Sequence, residues 1–366
     1  VQFHPTGMVW PPSARGLLVT EGVRGERGVL KNSEGERFMF RYIPDFYAKE
    51  TADTIEEADR WYDDKSVRRP PELLPRDEVA RAINSEVKAG RGSTHGGVYL
   101  DIASRRPAEY IKRRLPSMYH QFKELADVDI TAQPMEIGPT CHYMMGGVRV
   151  DAETERSTVE GLYAAGEVAG GMHGANRLGG NSLSDLLVFG RRAGEAAARY
   201  ALEKGEQPSA GEAQIDEIAE HALSYFANES GDNPYTIHHE LQDAMQSLVG
   251  IIRTESELVR ALELLDEFDS RAEKVSVEGH RQFNPGWHLA LDLESMLAVT
   301  RSTTLAALER KESRGGHTRD DYPNPDPEHY GKVNIVVSFD NDKISVREEP
   351  LPQMPAELAA FFDEAH

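Results

Sequence analysis

The chain is nearly without cysteine: Cys141 is the only one in 366 residues. A single cysteine excludes an intrachain disulfide, a CxxC redox pair and a cysteine-ligated cluster, and it suits a reducing, cytoplasmic setting. No apolar run approaches the ~18 residues that a membrane span needs, and no signal peptide opens the chain. Basic residues are scarce, 41 Lys and Arg against 62 Asp and Glu, for a net charge of −21. That balance argues against nucleic acid as a partner, since phosphate binding needs basic surface. It leaves room for a local cationic pocket that takes a small anion. No internal repeat and no low-complexity tract is visible. Nor is there an initiating methionine: the chain opens VQFHPTG, which reads as a strand end running into a polar turn. A fragment or a processed chain is expected.

What is present is ordinary for a globular protein, 39% hydrophobic and 28% charged. The length predicts more than one structural unit. The stretch VEGLYAAGEVAGGMHGANRLGGNSLSDLLVFGRRAGEAAA, residues 159–198, organises the rest. Gly161–Ala165 reads as a short buried strand. The glycine-rich run to Asn181 lets the backbone approach a ligand closely. Ser182 is placed to cap a helix, with Asp185 as its capping-box partner, and Leu183, Leu186, Leu187, Gly190 and Gly194 give that helix one apolar face. Strand, glycine loop and capped helix suit a flat or phosphorylated cofactor, because the helix N-terminus offers free N–H groups and partial positive charge. Glu167, just past the strand end, is placed to accept hydrogen bonds from a ribose. The bland alternative is a tight strand-to-helix turn. Asn176 and Arg177, polar groups among glycines with little to bury, favour a ligand.

Along the chain, Leu17–Val19 reads as a strand opening onto Thr20 and Glu21, with Arg24 beyond. Asp45–Asp64 reads as an acidic helix and Ser66–Pro75 as a proline-rich linker. A helix is predicted from about Pro75 to Ala89, with Val79, Ala80, Ile83 and Val87 as its buried stripe and Gly90 as its stop. Arg76 falls in its first turn, where the helix dipole disfavours a cation. It is solvated, paired with Asp77, or poised for chemistry. Val98–Ile102 reads as a strand, Pro107–Asp127 as one or two helices, and Met135–Val150 as strand, loop, strand with His142 in the loop. A lone histidine between Cys141 and Tyr143 is more often packed core than catalytic. Four amphipathic helical patterns follow, at Ala210–Ala227, Tyr235–Arg253, Ser256–Lys274 and Leu289–Glu312, which together suggest a bundle. Lys332–Phe339 and Lys343–Arg347 read as a hairpin, and Leu351–Glu364 as a proline-led tail with a weak helix.

Six motifs stand in order across residues 3–323: HPTG, LVTEGVRGE, LPRDEVARAI, PTCHYMMGG, GLYAAGEVAGGMHGANRLGGNSL and ESRGGHTRDDYP. Together they resemble the flavoprotein subunit of succinate dehydrogenases and fumarate reductases, most of all the actinobacterial type. L-aspartate oxidase shares HPTG, TE-x-VRGE and ESRGGH, but PTCHYMMGG and Leu178-Gly179-Gly180 favour the dicarboxylate enzymes. The resemblance implies an FAD-dependent oxidoreductase that interconverts succinate and fumarate. By resemblance, His142 and Arg177 hold one substrate carboxylate while His4 and Thr20 hold the other, and an arginine fork suits a carboxylate. Arg76 is implied as proton donor and acceptor, with Glu21 and Arg24 as its proton path. Glu167 is implied at the FAD ribose and Asn181, Ser182 and Leu183 along the isoalloxazine.

The resemblance also implies an iron–sulfur partner subunit, membrane anchor subunits and a place at the cytoplasmic face of a membrane, as in respiratory complex II. It implies a multidomain α/β plus α+β fold. The end of an FAD-domain strand is expected at 1–4, a capping domain at 5–140, the return half of a Rossmann-like FAD-binding domain at 141–206, a helical bundle at 207–313 and a C-terminal β-hairpin region at 314–366. The family's GxGxxG loop and its histidine for covalent FAD attachment are not in this sequence and are expected before Val1, so the chain by itself is expected to be inactive. The alternatives are L-aspartate oxidase, a soluble fumarate reductase, or a non-catalytic fragment that only contributes interfaces.

Overall fold

The computed structural model describes residues 1–205, 208–228, 230–340 and 343–363. Two compact units divide the chain, Val1–Glu203 and Lys204–His366. The boundary expected at Glu206 and Gln207 lies outside the described residues.

The first unit mixes strands and helices. β1 (Gln2–Met8) is buried along its whole length. α1 (Glu21–Gly25) starts at Thr20, whose side chain accepts the Gly22 N–H. β2 (Val29–Lys31) and α2 (Ile55–Arg60) follow, the latter capped by Thr54. α3 (Arg76–Lys88) is entered through Pro75 and carries Asp77 and Glu78 in its first turn, where the dipole favours acids. Its stripe of Val79, Ala80, Ala82 and Ile83 is buried. β3 (Val98–Asp101), α4 (Ala108–Arg114), α5 (Pro116–Ala126) and β4 (Met135–Tyr143) complete the layer. The strands form one antiparallel sheet in the order β1-β4-β3-β2. Met8, Val23, Phe38, Ile83, Leu100 and Phe122 lie in the core around it. α6 (Asn181–Lys204) closes the unit.

Several local expectations are corrected here. HPTG is not a turn after a strand but the middle of β1, with the register shifting between His4 and Gly7. Pro5 has no N–H to give a ladder, and the irregular stretch accommodates it. His142 lies within β4, not in a loop. Leu17–Val19 and Gly161–Ala165 form only single bridges, Gly7 to Leu18 and Arg156 to Tyr163. A short apolar run becomes a strand only where a partner extends the ladder. In the acidic 45–64 segment, Ile55–Arg60 is the α-helix and Asp45–Tyr47 a single 3-10 turn. The expected linker holds a 3-10 turn, Pro71–Leu73, that buries Glu72 completely. α6 begins one residue before Ser182, and Asp185 caps nothing; it is buried against Tyr143. Gly166 takes a φ of +75°, and a Cβ there would stand 2.5 Å from Leu186 Cδ2. Only glycine fits where that turn passes α6.

The second unit is helical at its core. α7 (Glu212–Ser224), α8 (Pro234–Leu248), α9 (Glu255–Ala272) and α10 (Pro285–Glu309) match the four amphipathic patterns. α9 begins with a capping box between Thr254 and Glu257. Ile237, Leu241, Leu265, Phe268, Leu293 and Leu297 pack between α8, α9 and α10. β5 (Val333–Asp340) and β6 (Lys343–Pro350) form the expected hairpin, and α11 (Ala356–Asp363) the tail helix; Glu364, the last residue expected there, lies outside the described residues. The ESRGGHTR segment fastens this unit internally. Arg319 is fully buried, paired with Asp321 at 2.7 Å and donating to the Ala307 and Leu308 carbonyls. His317 accepts from Arg253 through Nδ1 and reaches the Arg310 carbonyl through Nε2, both at 3.0 Å.

Ile83 is fully buried on the stripe that seats α3. Ile83→Ala should destabilise the first unit by about 2–5 kcal/mol, read as a lowered denaturation midpoint by a probe in that unit. An unchanged midpoint would show that α3 is not seated by this stripe.

Candidate active site

The first unit gathers the charged residues singled out in the sequence around Arg76. As the first residue of α3, its side chain leaves the helix near its N-terminus. Nε donates to Glu21 Oε2 at 3.3 Å, and Nη1 donates to His142 Nε2, also at 3.3 Å. A guanidinium only donates, so His142 Nε2 must be the unprotonated nitrogen and Nδ1 carries the proton. Burial lowers the pKa of His142, and Arg76 and Arg177 lower it further.

His4 stands edge-on to His142, ring centroids 5.3 Å apart. It is 1% exposed, and its Nδ1 accepts the Thr6 N–H at 3.3 Å. Thr6 Oγ1 spends its own proton on the Val19 carbonyl at 2.7 Å. Nε2 therefore carries the His4 proton and is its free donor. Burial first, then Arg24, Arg76 and His142, push the His4 pKa down to about 3. A neutral imidazole with one N–H is what remains.

α1 supplies Glu21 and Arg24. Arg24 is fully buried, donates through Nη1 to the Glu72 carbonyl, and brings Nη2 to 4.0 Å from Glu21 Oε2. Its Nε and Nη2 have no hydrogen-bond partner among the described residues. Burial pulls its pKa down to about 10, against the opposing pull of Glu21. Arg24, Glu21, Arg76 and His142 thus form one continuous line. No hydrogen bond or ion pair joins Thr20, Asn181 or Leu183 to it among the described residues; Thr20 accepts the Gly22 N–H.

Arg177 forms the adjoining wall. Its Nη2 donates to Gln2 Oε1 at 2.9 Å and its Nη1 to the Leu178 carbonyl at 3.2 Å, with Ser182 Oγ at 3.5 Å. The guanidinium lies 4.4 Å from the centre of the Tyr143 ring, a cation–π distance. The Arg177 Nε is buried and has no hydrogen-bond partner among the described residues. Behind the ring, the Tyr143 hydroxyl meets His173 at 3.2 Å and Asp185 at 3.3 Å. Sequence reasoning missed Gln2, Tyr143, His173 and Asp185. Tyr143 carried a signal, its place beside His142. Gln2 carried none beyond its position two residues before His4.

A candidate cofactor surface lies alongside. Glu167 projects from the 3-10 turn Gly166–Val168, and its Oε1 accepts the Met144 N–H at 2.9 Å. A Cβ built at Gly171, Gly174, Gly179 or Gly180 would meet nothing within 4 Å. The backbone before α6 is therefore open to a ligand. Leu178, Leu183 and Leu187 are 71%, 67% and 77% exposed beside that helix N-terminus. A bare apolar face next to a positive helix end fits a flat ring system with a polar, electron-rich edge.

An open apolar platform at a helix N-terminus, bordered by histidines and arginines, suits a flavin. A family model described as an FAD binding domain matches residues 1–183, and one described as fumarate reductase flavoprotein C-term matches residues 238–360. The chain is 44% identical over 328 residues to a fumarate reductase (CoM/CoB) subunit of Methanothermobacter marburgensis, covering 90% of this chain and 54% of that protein. It is 35% identical over 379 residues to the succinate dehydrogenase flavoprotein subunit of Coxiella burnetii, covering 98% of this chain and 58% of that one. Among solved structures, Mycobacterium smegmatis Sdh1 in complex with UQ1 superposes with a TM-score of 0.83 at 54% identity, over 100% of this chain and 57% of the other. The chain belongs to the succinate dehydrogenase and fumarate reductase flavoprotein family, whose cofactor is FAD. It spans about half the length of the curated relatives it matches.

His4 makes a pH prediction. Its folded pKa, about 3, lies below the ordinary 6.5, so the unfolded chain binds a proton that the native one refuses. The stability from keeping it neutral is whole above pH 6.5 and is lost as pH falls towards 3, by up to ~1.4 kcal/mol per pH unit. Denaturation midpoints over that window should fall more steeply than in His4→Gln. Equal slopes would contradict a buried neutral His4.

Proposed function

We propose that the protein carrying this chain interconverts succinate and fumarate. The observation that carries the reading is Arg76 held between Glu21 and His142, with Arg177 and His4 beside it. This is a pocket of cationic and N–H donors in which Glu21 is bonded to Arg76 and Glu167 lies near His142 and Arg177. Such a pocket suits a small dianion. The names of the relatives, succinate dehydrogenase and fumarate reductase flavoprotein subunits, support the same substrate pair.

His142 and Arg177 anchor one carboxylate; His4, through its Nε2–H, and Thr20 anchor the other. FAD would be held at the open face at the start of α6 and would supply hydride acceptance and donation there. Glu167 would reach the ribose, and Asn181, Ser182 and Leu183 would line the ring system. Arg76 delivers or removes the proton on the carbon chain of the substrate. Glu21, 3.3 Å from Arg76 and 4.0 Å from the buried Arg24, re-supplies it. A guanidinium whose solution pKa exceeds about 12 is a poor acid by itself, so this relay is what makes the role workable. The sheet and helices of residues 5–140 form a cap, and residues 141–206 return to the flavin. Oxidation and reduction use the same residues, and the redox partner sets the direction.

Electrons pass to an iron–sulfur partner, then to membrane anchor subunits and quinone. One cysteine in this chain is too few for a cluster, and no helix among the described residues is long and apolar enough to cross a membrane. The Mycobacterium smegmatis Sdh1 structure, in complex with UQ1, supports the quinone end of that path by analogy.

Two outcomes test the reading in the full-length holoenzyme. Arg76→Lys or Arg76→Ala should abolish succinate oxidation with an artificial acceptor while FAD stays bound; retained turnover would remove Arg76 from the chemistry. Glu167→Ala should lower FAD content on purification more than it alters the preference for succinate over L-aspartate. Full FAD content in that variant would detach Glu167 from the ribose.

A further inference from the structure

Gln2 is 2% exposed at the start of β1, and its side chain is fully employed. Oε1 accepts from Arg177 Nη2 at 2.9 Å. Nε2 donates to the Arg177 carbonyl at 2.8 Å and to Asn176 Oδ1 at 2.6 Å. One amide therefore grips both the head and the backbone of the same arginine. Tyr143, opposite Gln2 in the β1–β4 register, supports that guanidinium with its ring face. Asn176 continues the path, donating through Nδ2 to Asp77 Oδ1 at 3.2 Å. Asp77 directly follows Arg76 in α3. A single buried amide thus joins the glycine loop that carries Arg177 to the helix that carries Arg76.

The chemical type of Gln2 matters as much as its position. Among the described residues, no carboxylate lies within ion-pair distance of Arg177; its partners are the Gln2 amide, a carbonyl, a hydroxyl and an aromatic face. Neutral acceptors orient a guanidinium without cancelling its charge. A carboxylate in the same place would take the planar fork for itself.

We propose that Gln2 is a positioning residue. It holds Arg177 as a pre-oriented cation without a counter-ion, and through Asn176 it sets the spacing between Arg177 and α3. The proposal rests on the reading that Arg177 receives a carboxylate of the substrate, and it adds what keeps Arg177 available for one.

The test uses the full-length holoenzyme with Gln2→Glu, Gln2→Met and Arg177→Lys. Succinate KM and kcat are measured together with the malonate Kd by calorimetry and the FAD content. Gln2→Glu keeps the shape but supplies an internal carboxylate, so KM and the malonate Kd should rise about tenfold to a hundredfold. Gln2→Met keeps the volume and loses all three hydrogen bonds; both constants should rise about tenfold. In both variants FAD content should stay at the wild-type level and kcat should change by less than about threefold. If Gln2→Glu does not fold, Gln2→Met decides. Unchanged malonate affinity in the folded Gln2 variants, or losses confined to kcat and FAD content, would overturn the proposal if Arg177→Lys still weakens malonate. Should Arg177→Lys leave malonate affinity unchanged, the carboxylate reading of Arg177 fails and takes the role of Gln2 with it.

Discussion

The pairing of β1 with β4 is the constraint on which the site depends. In that register Gln2 faces Tyr143, and His4 comes within edge contact of His142. β1 is buried along its whole length and β4 in part, and a one-residue slip would turn every side chain to the opposite face. Irregular register at Phe3 and around Pro5 re-aims His4 without breaking the pairing. α3 packs on the same two strands, which puts Arg76 where it reaches both Glu21 and His142.

Electrostatics then follow from who is buried with whom. Arg24, Arg76 and Arg177 approach one another in a protein whose net charge is −21. Burial, and then mutual repulsion, lower the pKa of Arg24 and Arg177, and the two histidines are held towards neutrality. An assembly of this kind is ready for an anion, since a dianionic ligand would relieve the repulsion that the fold imposes. Glu21 is too exposed to neutralise three guanidinium groups. Buried amides, carbonyls and a tyrosine ring do the orienting, and the positive charge remains available.

The second unit uses the same residue types for a different end. Arg319, Arg253 and Glu312 are buried among carbonyls and charged partners that fasten the loop after α10. His317 is held neutral there, its pKa pushed down to about 3 chiefly by burial. A motif with two arginines and a histidine therefore reads alike in sequence whether it binds a ligand or ties a loop. Only the fold separates a saturated cluster from one with open donors.

Helices were the legible part of this chain. α3, α4, α5 and the four helices of the second unit follow from apolar spacing, proline and caps, all of which act within a few residues. The hairpin β5–β6 is legible for the same reason. The charged site residues were legible as types: His4, Glu21, Arg24, Arg76, His142 and Arg177 stand out beside glycine and proline in motifs that name the family. Strands were not. Leu17–Val19 and Gly161–Ala165 have strand composition and make only isolated bridges, while HPTG and His142, taken for turn and loop, lie in paired strands. Strand identity belongs to a pair of segments, and no single segment contains it. For the same reason Gln2 and Asp185 gave no warning of their positions. Each owes its role to a partner far away in the chain, and such contacts exist only once the chain has folded.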